Sequence, residues 1–342
     1  MLHTETFLCI FAFLKLNTIS DINNITYPIQ KEIKVFEKKF KSYLSSDISM
    51  LDKVMHFIIK RKGKKIRPIL VLLSAQAFGK IKEETYLAST MIELLHTATL
   101  IHDDVIDEAN YRRGFFSVNS LWKNKVSVLV GDFLLSKGLL LAVNNSEFSL
   151  LRIVSDAVKE MSEGELLQIE KARRLDITED MYFKIIRKKT ASLIAACCAS
   201  GVNSVSKDES LIKKMREFGE NAGIAFQIKD DLLDYSNFSI TGKIRGTDIK
   251  SKKITLPLIY TLNKVNRSTK RIILNTVKMN DKSNEKVEKV IKIIRDEGGV
   301  DYAKKKMILY QESALSILNS LPNNKAVESL KLLTNYIVER KK

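Results

Sequence analysis

The amino-acid sequence predicts an all-α protein. Its 342 residues include 13 glycines and 4 prolines, so few positions interrupt regular structure. The stretches between them are rich in Leu, Ile, Lys and Glu at a helical rather than an alternating period. Hydrophobic residues make up 45% of the chain and charged residues 28%, which is enough apolar side chain to bury a sizeable core. Composition therefore excludes a disordered chain and favours one or two globular domains.

The net charge of +17 would by itself fit a nucleic-acid partner, a membrane surface or a phosphorylated substrate. The lysines are spread over the whole sequence, so most of them are expected on a solvated surface. The sequence has no basic patch with interleaved aromatic residues and no recognition-helix motif. We therefore predict no nucleic-acid partner.

The N-terminal stretch "FLCIFAFLKL" is apolar over about ten residues, which is too short to span a bilayer, and no basic stretch precedes it. An accessory helix is expected there, not a signal peptide. Because no other segment approaches about 18 uninterrupted apolar residues, a soluble protein is predicted, with peripheral membrane contact left open.

The cysteines Cys9, Cys197 and Cys198 form neither a CxxC pair nor an even disulfide framework. A reducing, cytoplasmic location without a zinc site is therefore predicted. The adjacent Cys197 and Cys198 are expected to pack as small apolar residues.

The stretch "HTATLIHDDVIDEANYRRG", residues 96–114, carries the first charged motif. Apolar residues around it recur at three- and four-residue steps, which predicts an amphipathic helix. Asp103 and Asp107 then lie one turn apart on the same face, with His96 two turns earlier on nearly the same stripe. Gly114, after a pair of arginines, is the predicted end of the segment.

Two carboxylates spaced i and i+4 repel each other by roughly a few tenths of a kcal/mol, and burying them without a cation would cost far more. Oxygen ligands without His or Cys partners suit hard cations, and Mg²⁺ completes its coordination with water and phosphate oxygens. The motif therefore favours Mg²⁺ with a phosphorylated ligand. The alternative is an exposed acidic helix face.

A second copy of the motif occurs in "AFQIKDDLLDYS", again on an apolar helical run. It places Asp230, Asp231 and Asp234 at the same spacing as the first copy. Chance duplication is hard to credit. Two such helices are expected to face one another across a central cavity and to bind Mg²⁺ ions and a diphosphate between them.

Basic segments fit the same interpretation. In "RKGKKIRPIL" a loop containing Lys64 and Arg67 leads into a helix at Pro68, and a helix N-terminus is a natural phosphate site. In "IIRKKTASL" Lys189 and Thr190 interrupt a helical pattern. The stretch "SITGKIRGTDIKSKKITLPL" gathers several cations in a breaker-rich loop, which predicts a mobile basic lid. A solvated loop is the alternative. Its cations are Lys243, Arg245, Lys250, Lys252 and Lys253.

Taken together, these motifs resemble those of the trans-isoprenyl diphosphate synthases. "GKKIRP", "HDDVIDEANYRRG", "FQIKDDLLDY" and "GKIRGTDIKSKKITLP" occur in that family's order, and the resemblance covers roughly residues 27–340. It implies the all-α isoprenoid synthase fold, with helices surrounding a central active-site cavity. Residues 25–342 are then expected to form a single domain, and residues 1–24 an N-terminal extension without a match in the family.

The resemblance also implies roles for individual residues. The acceptor, isopentenyl diphosphate, would be bound by Lys64, Arg67, His96 and Arg113. The allylic prenyl diphosphate would be bound by Arg112, Lys189, Thr190, Gln227, Lys243 and Lys253. The Mg²⁺ ligands, for at most about three ions, would be Asp103, Asp107 and Asp230, with Asp104, Asp231 and Asp234 in support.

The chemistry implied is head-to-tail prenyl transfer. Cations stabilise the departing diphosphate, the acceptor's double bond attacks the allylic carbocation, and a proton is lost to the diphosphate. Since water would quench the carbocation, the apolar helices are expected to exclude solvent while the lid closes.

The resemblance further implies that product length depends on the residues five and four positions before the first aspartate, which are Ala98 and Thr99. Small side chains leave a product tunnel open, and "HTATLIHDDV" resembles the long-chain bacterial all-trans subgroup that makes quinone side chains. A product of about seven to ten isoprene units is predicted, since an open tunnel admits a longer chain.

Four alternatives were weighed. A short-chain farnesyl or geranylgeranyl synthase would share the motifs. A class I terpene cyclase typically mixes Asn, Ser or Thr with Glu in its second metal motif, unlike this chain. A non-catalytic subunit of a heteromeric synthase usually lacks some of the aspartates, all of which are present. A helical nucleic-acid-binding protein fits only the net charge. The family resemblance further implies a homodimer.

Overall fold

The computed structural model describes residues 22–60, 65–107, 111–112, 115–174, 178–235, 246–278 and 283–340. A 3-10 turn, Tyr27–Ile29, precedes fifteen α-helices in this described part of the chain. The helices are α1 Gln30–Leu44, α2 Ser49–Lys60, α3 Ile66–Gln76, α4 Glu83–Ile106, α5 Val118–Asn144, α6 Phe148–Arg174, α7 Glu179–Ile186, α8 Ser192–Val205, α9 Glu209–Leu233, α10 Thr247–Lys250, α11 Leu256–Lys264, α12 Arg267–Lys278, α13 Asn284–Asp296, α14 Gly299–Asn319 and α15 Lys325–Glu339. The predicted all-α class is confirmed.

The first aspartate helix is shorter than predicted. It ends at Ile106, and a two-stranded antiparallel hairpin of β1 Tyr111–Arg112 and β2 Phe115–Phe116 follows. The prediction that the helical segment continues to Gly114 was therefore wrong. The sequence after Asp107 loses its apolar period of three and four, and Tyr and Phe favour strands over helices.

Two compact units divide the chain. The first unit takes the described residues up to Val158, together with Ala196–Met215 and Asn323–Leu330. The second takes Lys159–Ala195, Arg216–Pro322 and the described residues from Lys331 onward. The expectation of a single domain over residues 25–342, set apart from residues 1–24, stays a prediction. The expected accessory helix lies outside the described residues.

The first unit is built around α4, which packs against α1, α3 and α5. The contact with α5 is close because two glycines of α5 face α4. A Cβ added to Gly138 would lie 3.1 Å from Leu95 Cδ2, and one added to Gly131 would overlap the His102 ring. Without side chains at these two positions the α5 backbone reaches the face of α4 that leads into the first aspartate motif.

Helix α5 is the one helix of the described residues that is long and apolar enough to cross a membrane. Of its most apolar window, 39% is buried within the protein. A buried core helix passes the same test of length and composition, so the test alone does not identify α5 as a membrane-spanning helix.

The second unit has its own apolar core, to which α7 and α9 to α14 contribute. Its fully buried side chains include Ile224, Ile228, Tyr235, Leu256, Leu258, Val290 and Ile294. This core holds the C-terminal end of α9, and with it the second aspartate motif, on a rigid base.

Candidate active site

The first aspartate motif lies at the C-terminal end of α4. Asp103 and Asp104 belong to its last turn, and Asp107 directly follows the helix and donates its backbone N–H to the Asp103 carbonyl at 2.8 Å. Asp104 is only 3% exposed, whereas Asp103 is half-buried and Asp107 exposed. Since the C-terminal end of a helix carries partial negative charge, three carboxylates there favour a bound cation.

Two residues predicted to bind the acceptor lie on the packed helices α3 and α4. Arg67, in the first turn of α3, has Nη1 3.5 Å from Glu93 Oε2 on α4. His96 follows one turn after Glu93 and is 8% exposed. Lys65 precedes α3 in a left-handed conformation, with φ of 49°, and pairs with Glu37. A helix N-terminus with an adjacent arginine suits a phosphate group.

Several predicted binding residues cannot be placed. Lys64, Arg113, Lys243 and Arg245 lie outside the described residues, and of Arg112 only the backbone, in β1, is described. Their roles stay predictions.

The residues predicted to affect product length lie in the C-terminal half of α4. Ala98 is 1% exposed, so it belongs to the packed interior of the first unit. Thr99 is partly buried and donates its hydroxyl to the His96 carbonyl at 2.8 Å. A larger side chain at Ala98 would therefore need space that neighbouring groups now occupy.

The second aspartate motif lies at the C-terminal end of α9. The Asp230 side chain is 53% exposed, and its Oδ1 lies 3.3 Å from Arg340 Nη2. The Arg340 guanidinium also stacks over the Phe226 ring, 4.1 Å from its centroid. An arginine from the end of the chain thus neutralises the exposed carboxylate of this motif.

Asp231 is the centre of a buried hydrogen-bond network. Its side chain is 0% exposed. Tyr182 OH donates to Oδ2 at 2.8 Å, while Gln227 Nε2 and Lys253 Nζ donate to Oδ1 at 2.9 and 2.8 Å. Gln227 in turn accepts a hydrogen bond from Thr190 Oγ1 at 2.7 Å. Three residues predicted to bind the allylic substrate are therefore brought together, each linked directly or through one amide to Asp231.

Asp234 binds the backbone at the start of α10. Its Oδ1 accepts the backbone N–H of Thr247 and its Oδ2 that of Asp248, both at 3.0 Å. These are the first N–H groups of α10, which have no partner within the helix. Asp234 therefore caps α10 and holds Asp248 close to the second motif.

Asp248 and Lys253 carry strongly shifted pKa values. Burial raises the pKa of Asp248 from 3.8 to about 7; Lys253 opposes this shift, and Asp231 and Asp234 add to it. Burial lowers the pKa of Lys253, but the carboxylates of Asp231 and Asp248 outweigh it and hold that pKa above its ordinary value. One lysine thus faces several carboxylates, a set that a further cation would stabilise.

Lys189 lies on a π-helical turn, Arg187–Ala191, as the predicted break in the helical pattern suggested. Its ammonium pairs with Glu165 and donates to Gln168 Oε1 at 3.3 Å. The turn fits against α6 at Gly164, where an added Cβ would lie 2.7 Å from the Lys189 backbone nitrogen. π-turns inside helices are frequent at functional sites.

The donors at both motifs are carboxylate oxygens, the ligand type that Mg²⁺ prefers, so the residues present fit this ion. Among the described residues, no three His, Cys, Asp or Glu side chains form a ready metal-binding group. Mg²⁺ is commonly bound by one or two carboxylates together with substrate phosphates.

Several residues that take part in these contacts are not marked by any local sequence motif. Asp248 was also missed, although it lies in the quoted basic loop, because only the cations of that loop were considered. The other missed residues are Glu93, Glu165, Gln168, Tyr182 and Arg340, which meet their partners only through the folding of distant segments.

The sequence and fold of this chain are similar to those of known proteins. The family model described as polyprenyl synthetase matches residues 48–294. The all-trans-nonaprenyl-diphosphate synthase (geranyl-diphosphate specific) of Rhodobacter capsulatus is 35% identical over 93% of this chain and 97% of its own length. Geranylgeranyl diphosphate synthases are also among the relatives.

Solved structures agree with the fold. A decaprenyl diphosphate synthase from Rhodobacter capsulatus superposes with a TM-score of 0.89 at 30% identity, covering 94% of this chain and 99% of that one. A polyprenyl synthase from Caulobacter crescentus CB15, complexed with calcium and isoprenyl diphosphate, gives a TM-score of 0.87 at 28% identity, covering 94% and 98%. The fold is thus the all-α isoprenoid synthase fold. The chain is a prenyltransferase that belongs to the polyprenyl synthetase family.

Proposed function

We propose that this prenyltransferase uses Mg²⁺ to condense isopentenyl diphosphate head-to-tail with an allylic diphosphate primer. The product would be a long-chain all-trans polyprenyl diphosphate that supplies a quinone side chain. The observation that carries the proposal is the charged cluster at the end of α9, where the buried Asp231 and Asp248 hold Lys253 near the exposed carboxylate of Asp230. Such a site suits a metal ion and a diphosphate together.

Asp103, Asp107 and Asp230 are proposed as Mg²⁺ ligands, for at most about three ions. Bound Mg²⁺ would neutralise the charge that develops on the departing diphosphate. Asp104 is buried at 3% exposure, which suits its supporting role better than direct coordination. Asp234 already caps α10, which agrees with support of the second motif.

The cationic side chains would bind the two diphosphates. Lys189, Lys253 and Arg112 are assigned to the allylic diphosphate, with Thr190 and Gln227 as hydrogen-bonding partners of the same site. Arg67 and His96 are assigned to the acceptor, together with Lys64 and Arg113. Preorganised positive charge of this kind stabilises a leaving diphosphate, because the groups need no reorientation during the reaction.

A long product is proposed from the small side chain of Ala98, because the family resemblance implies that an aromatic residue there would obstruct the product tunnel. Relatives named as nonaprenyl and decaprenyl diphosphate synthases also favour it. A short-chain synthase is the alternative, and it is supported by the geranylgeranyl diphosphate synthases among the relatives.

A homodimer is proposed from an exposed apolar face of α5. The exposed fractions of its large side chains range from 39% to 60%, and at about 100° per residue they occupy an arc of roughly 120°. Asp132, whose side chain is 58% exposed, also lies within this arc, so the face is predominantly but not wholly apolar. Exposed patches that are mainly apolar mark interaction sites. The residues are Val128, Leu129, Leu139, Leu140 and Val143.

A cytoplasmic location is proposed, with peripheral membrane contact for release of the apolar product. The described cysteines, Cys197 and Cys198, are buried and not bonded to each other. Burial raises the pKa of both thiols, that of Cys198 to about 12, so neither is a reactive thiolate. Such residues fit a reducing compartment.

One assay tests the proposal. The purified protein alone is incubated with Mg²⁺, labelled isopentenyl diphosphate and geranyl, farnesyl or geranylgeranyl diphosphate, and the products are sized after dephosphorylation. Elongation supports the proposed enzyme activity. The size of the product distinguishes the long-chain hypothesis from the short-chain hypothesis. Failure to elongate any of the three primers would contradict the proposed function and favour a non-catalytic subunit.

A further inference from the structure

Asp231 differs from the other aspartates of its motif in being completely enclosed. Its side chain is 0% exposed, against 53% for that of Asp230. Both carboxylate oxygens are engaged by protein donors, Oδ1 by Gln227 and Lys253 and Oδ2 by Tyr182. A buried carboxylate of this kind persists only when each oxygen has a partner.

The donors come from separate segments. Tyr182 lies on α7, Gln227 on α9, one turn before Asp231, and Lys253 on the segment between α10 and α11. The Gln227 amide is fixed from both sides, because its nitrogen donates to Asp231 and its oxygen accepts from Thr190. The direction of the Asp231 carboxylate therefore determines where three groups of the allylic site lie.

Among the described side chains that donate to Asp231, Tyr182 is the one that has no assigned contact with a substrate. It is 3% exposed and belongs to the apolar core of the second unit, so its hydroxyl is held by packing on a rigid helix. The Tyr182 hydroxyl engages Oδ2 and leaves Oδ1 for Lys253 and Gln227. Without it, Oδ2 would be a buried acceptor lacking a donor, and the carboxylate would turn toward the Lys253 ammonium.

We propose that Tyr182 is a positioning residue for the allylic diphosphate, acting through Asp231 on Lys253 and Gln227. This inference rests on the proposed function, and it assigns Asp231 to the orientation of cationic and amide groups and not to metal coordination. Groups that must meet a diphosphate in a fixed geometry depend on such supporting bonds.

The test is the Tyr182→Phe variant, which keeps the ring and removes the hydroxyl. With Mg²⁺ present, calorimetry is expected to show about tenfold weaker binding of farnesyl thiodiphosphate, an unreactive allylic analogue, because a hydrogen bond to a charged group is lost. Binding of isopentenyl diphosphate should stay within about twofold of the wild type. In the elongation assay the KM for the allylic primer should rise while that for isopentenyl diphosphate does not.

A matched control is Tyr302→Phe. Tyr302 OH also donates to a carboxylate, at 2.8 Å from both oxygens of Glu179, and lies in the same unit. Tyr302 and Glu179 are not among the residues that are hydrogen-bonded to Asp231 or Gln227 in the described contacts. This variant should bind both ligands like the wild type, and thermal unfolding of both variants separates a loss of stability from a loss of positioning.

A double variant tests the route of the effect. Tyr182→Phe is introduced into the wild type and into the Lys253→Met variant, and the loss of allylic binding is compared. If Tyr182 acts largely through Lys253, the loss should be much smaller in the Lys253→Met background. Independent, multiplying effects would contradict that route. Unchanged allylic binding in Tyr182→Phe, or equal weakening of both ligands, would overturn the inference while leaving the proposed function intact.

Two further results are decisive. If Tyr182→Phe does not fold, Asp231→Asn replaces it, and unchanged allylic binding in that variant would overturn the inference. A wild-type protein that binds neither ligand and elongates no primer would overturn the proposed function itself.

Discussion

Arg340 Nη2 donates a hydrogen bond to Asp230 Oδ1 at 3.3 Å, linking the end of the chain to the second aspartate motif. Because Asp230 is a proposed Mg²⁺ ligand, the guanidinium and the ion compete for the same carboxylate. The Arg340→Met variant is therefore expected to reach half-maximal activity at a Mg²⁺ concentration about threefold lower, since a nearby positive charge is removed. A Mg²⁺ titration of the elongation rate measures this.

The control for this prediction is Lys264→Met. Lys264 Nζ lies 3.6 Å from Glu297 Oε2 in the same unit, and the contacts described for it do not include an aspartate of the second motif. Its Mg²⁺ dependence should equal that of the wild type. A higher Mg²⁺ requirement in Arg340→Met would show that Arg340 assists binding at Asp230 instead of competing.

Asp248 predicts a pH dependence of stability in the metal-free protein. Burial raises its pKa from 3.8 to about 7, so between these values the folded protein holds a proton that the unfolded chain has lost. The free energy of unfolding therefore falls, on account of this group, as the pH rises from 3.8 to about 7. The Asp248→Asn variant lacks this effect. Between pH 5 and pH 8 its free energy of unfolding should therefore rise by roughly 2 kcal/mol relative to that of the wild type.

Urea unfolding of both proteins in EDTA, at the two pH values, measures the difference. Taking the difference between variants removes the contribution of the other carboxylates. Added Mg²⁺ at the higher pH should reduce the advantage of the variant, because the ion replaces the proton as the neutralising charge. The same difference between variants at both pH values would contradict the prediction.

The helices of this protein and the approximate positions of both aspartate motifs could be predicted from local sequence. Apolar residues at a period of three and four mark α4 and α9, and the spacing of Asp103 and Asp107 follows from helix geometry. The hairpin after α4 was missed because the helix was extended to Gly114 although the apolar period ends at Asp107, beyond which Tyr and Phe favour a strand.

Contacts between distant segments could not be predicted. Tyr182 and Asp231 are separated by 49 positions, and Asp230 and Arg340 by 110. Periodicity shows which face of a helix is buried, but not which helix covers it. The same limit explains why Asp231 was grouped with the metal-supporting residues, although its side chain is enclosed by protein donors.

Removal of a proposed metal ligand should abolish most activity without unfolding the protein. Asp103→Ala and Asp230→Ala are each expected to lower the turnover number by about two orders of magnitude or more. The side chain of Asp230 is 53% exposed and Asp103 is half-buried, and substitutions outside a packed core rarely unfold a protein, so circular dichroism should show unchanged helix content. Asp301→Ala, at a 72% exposed side chain on α14, is the control and should be fully active. Wild-type turnover in both ligand variants would refute their role in metal binding.

The apolar face of α5 predicts self-association. Leu140 is 55% exposed on this face, and a charge placed there would be buried in a dimer interface at a high cost in free energy. Leu140→Asp is expected to convert a dimer to a monomer in sedimentation equilibrium. Leu166→Asp, at a residue that is 67% exposed on α6, is the control for added charge. A monomeric wild type would contradict the proposal of a homodimer.

Ala98 is the residue whose substitution should alter the product while leaving the reaction itself intact. It is 1% exposed on α4, five positions before Asp103, so a phenylalanine there would displace its present neighbours and, as the family resemblance implies, narrow the space proposed for the growing chain. Ala98→Phe should therefore shorten the main product by several isoprene units, as measured by reversed-phase chromatography after dephosphorylation. Thr97→Phe adds the same bulk about 100° around the helix, so its product should keep the wild-type length. An Ala98→Phe enzyme that is active and makes the wild-type product would show that another residue limits chain growth.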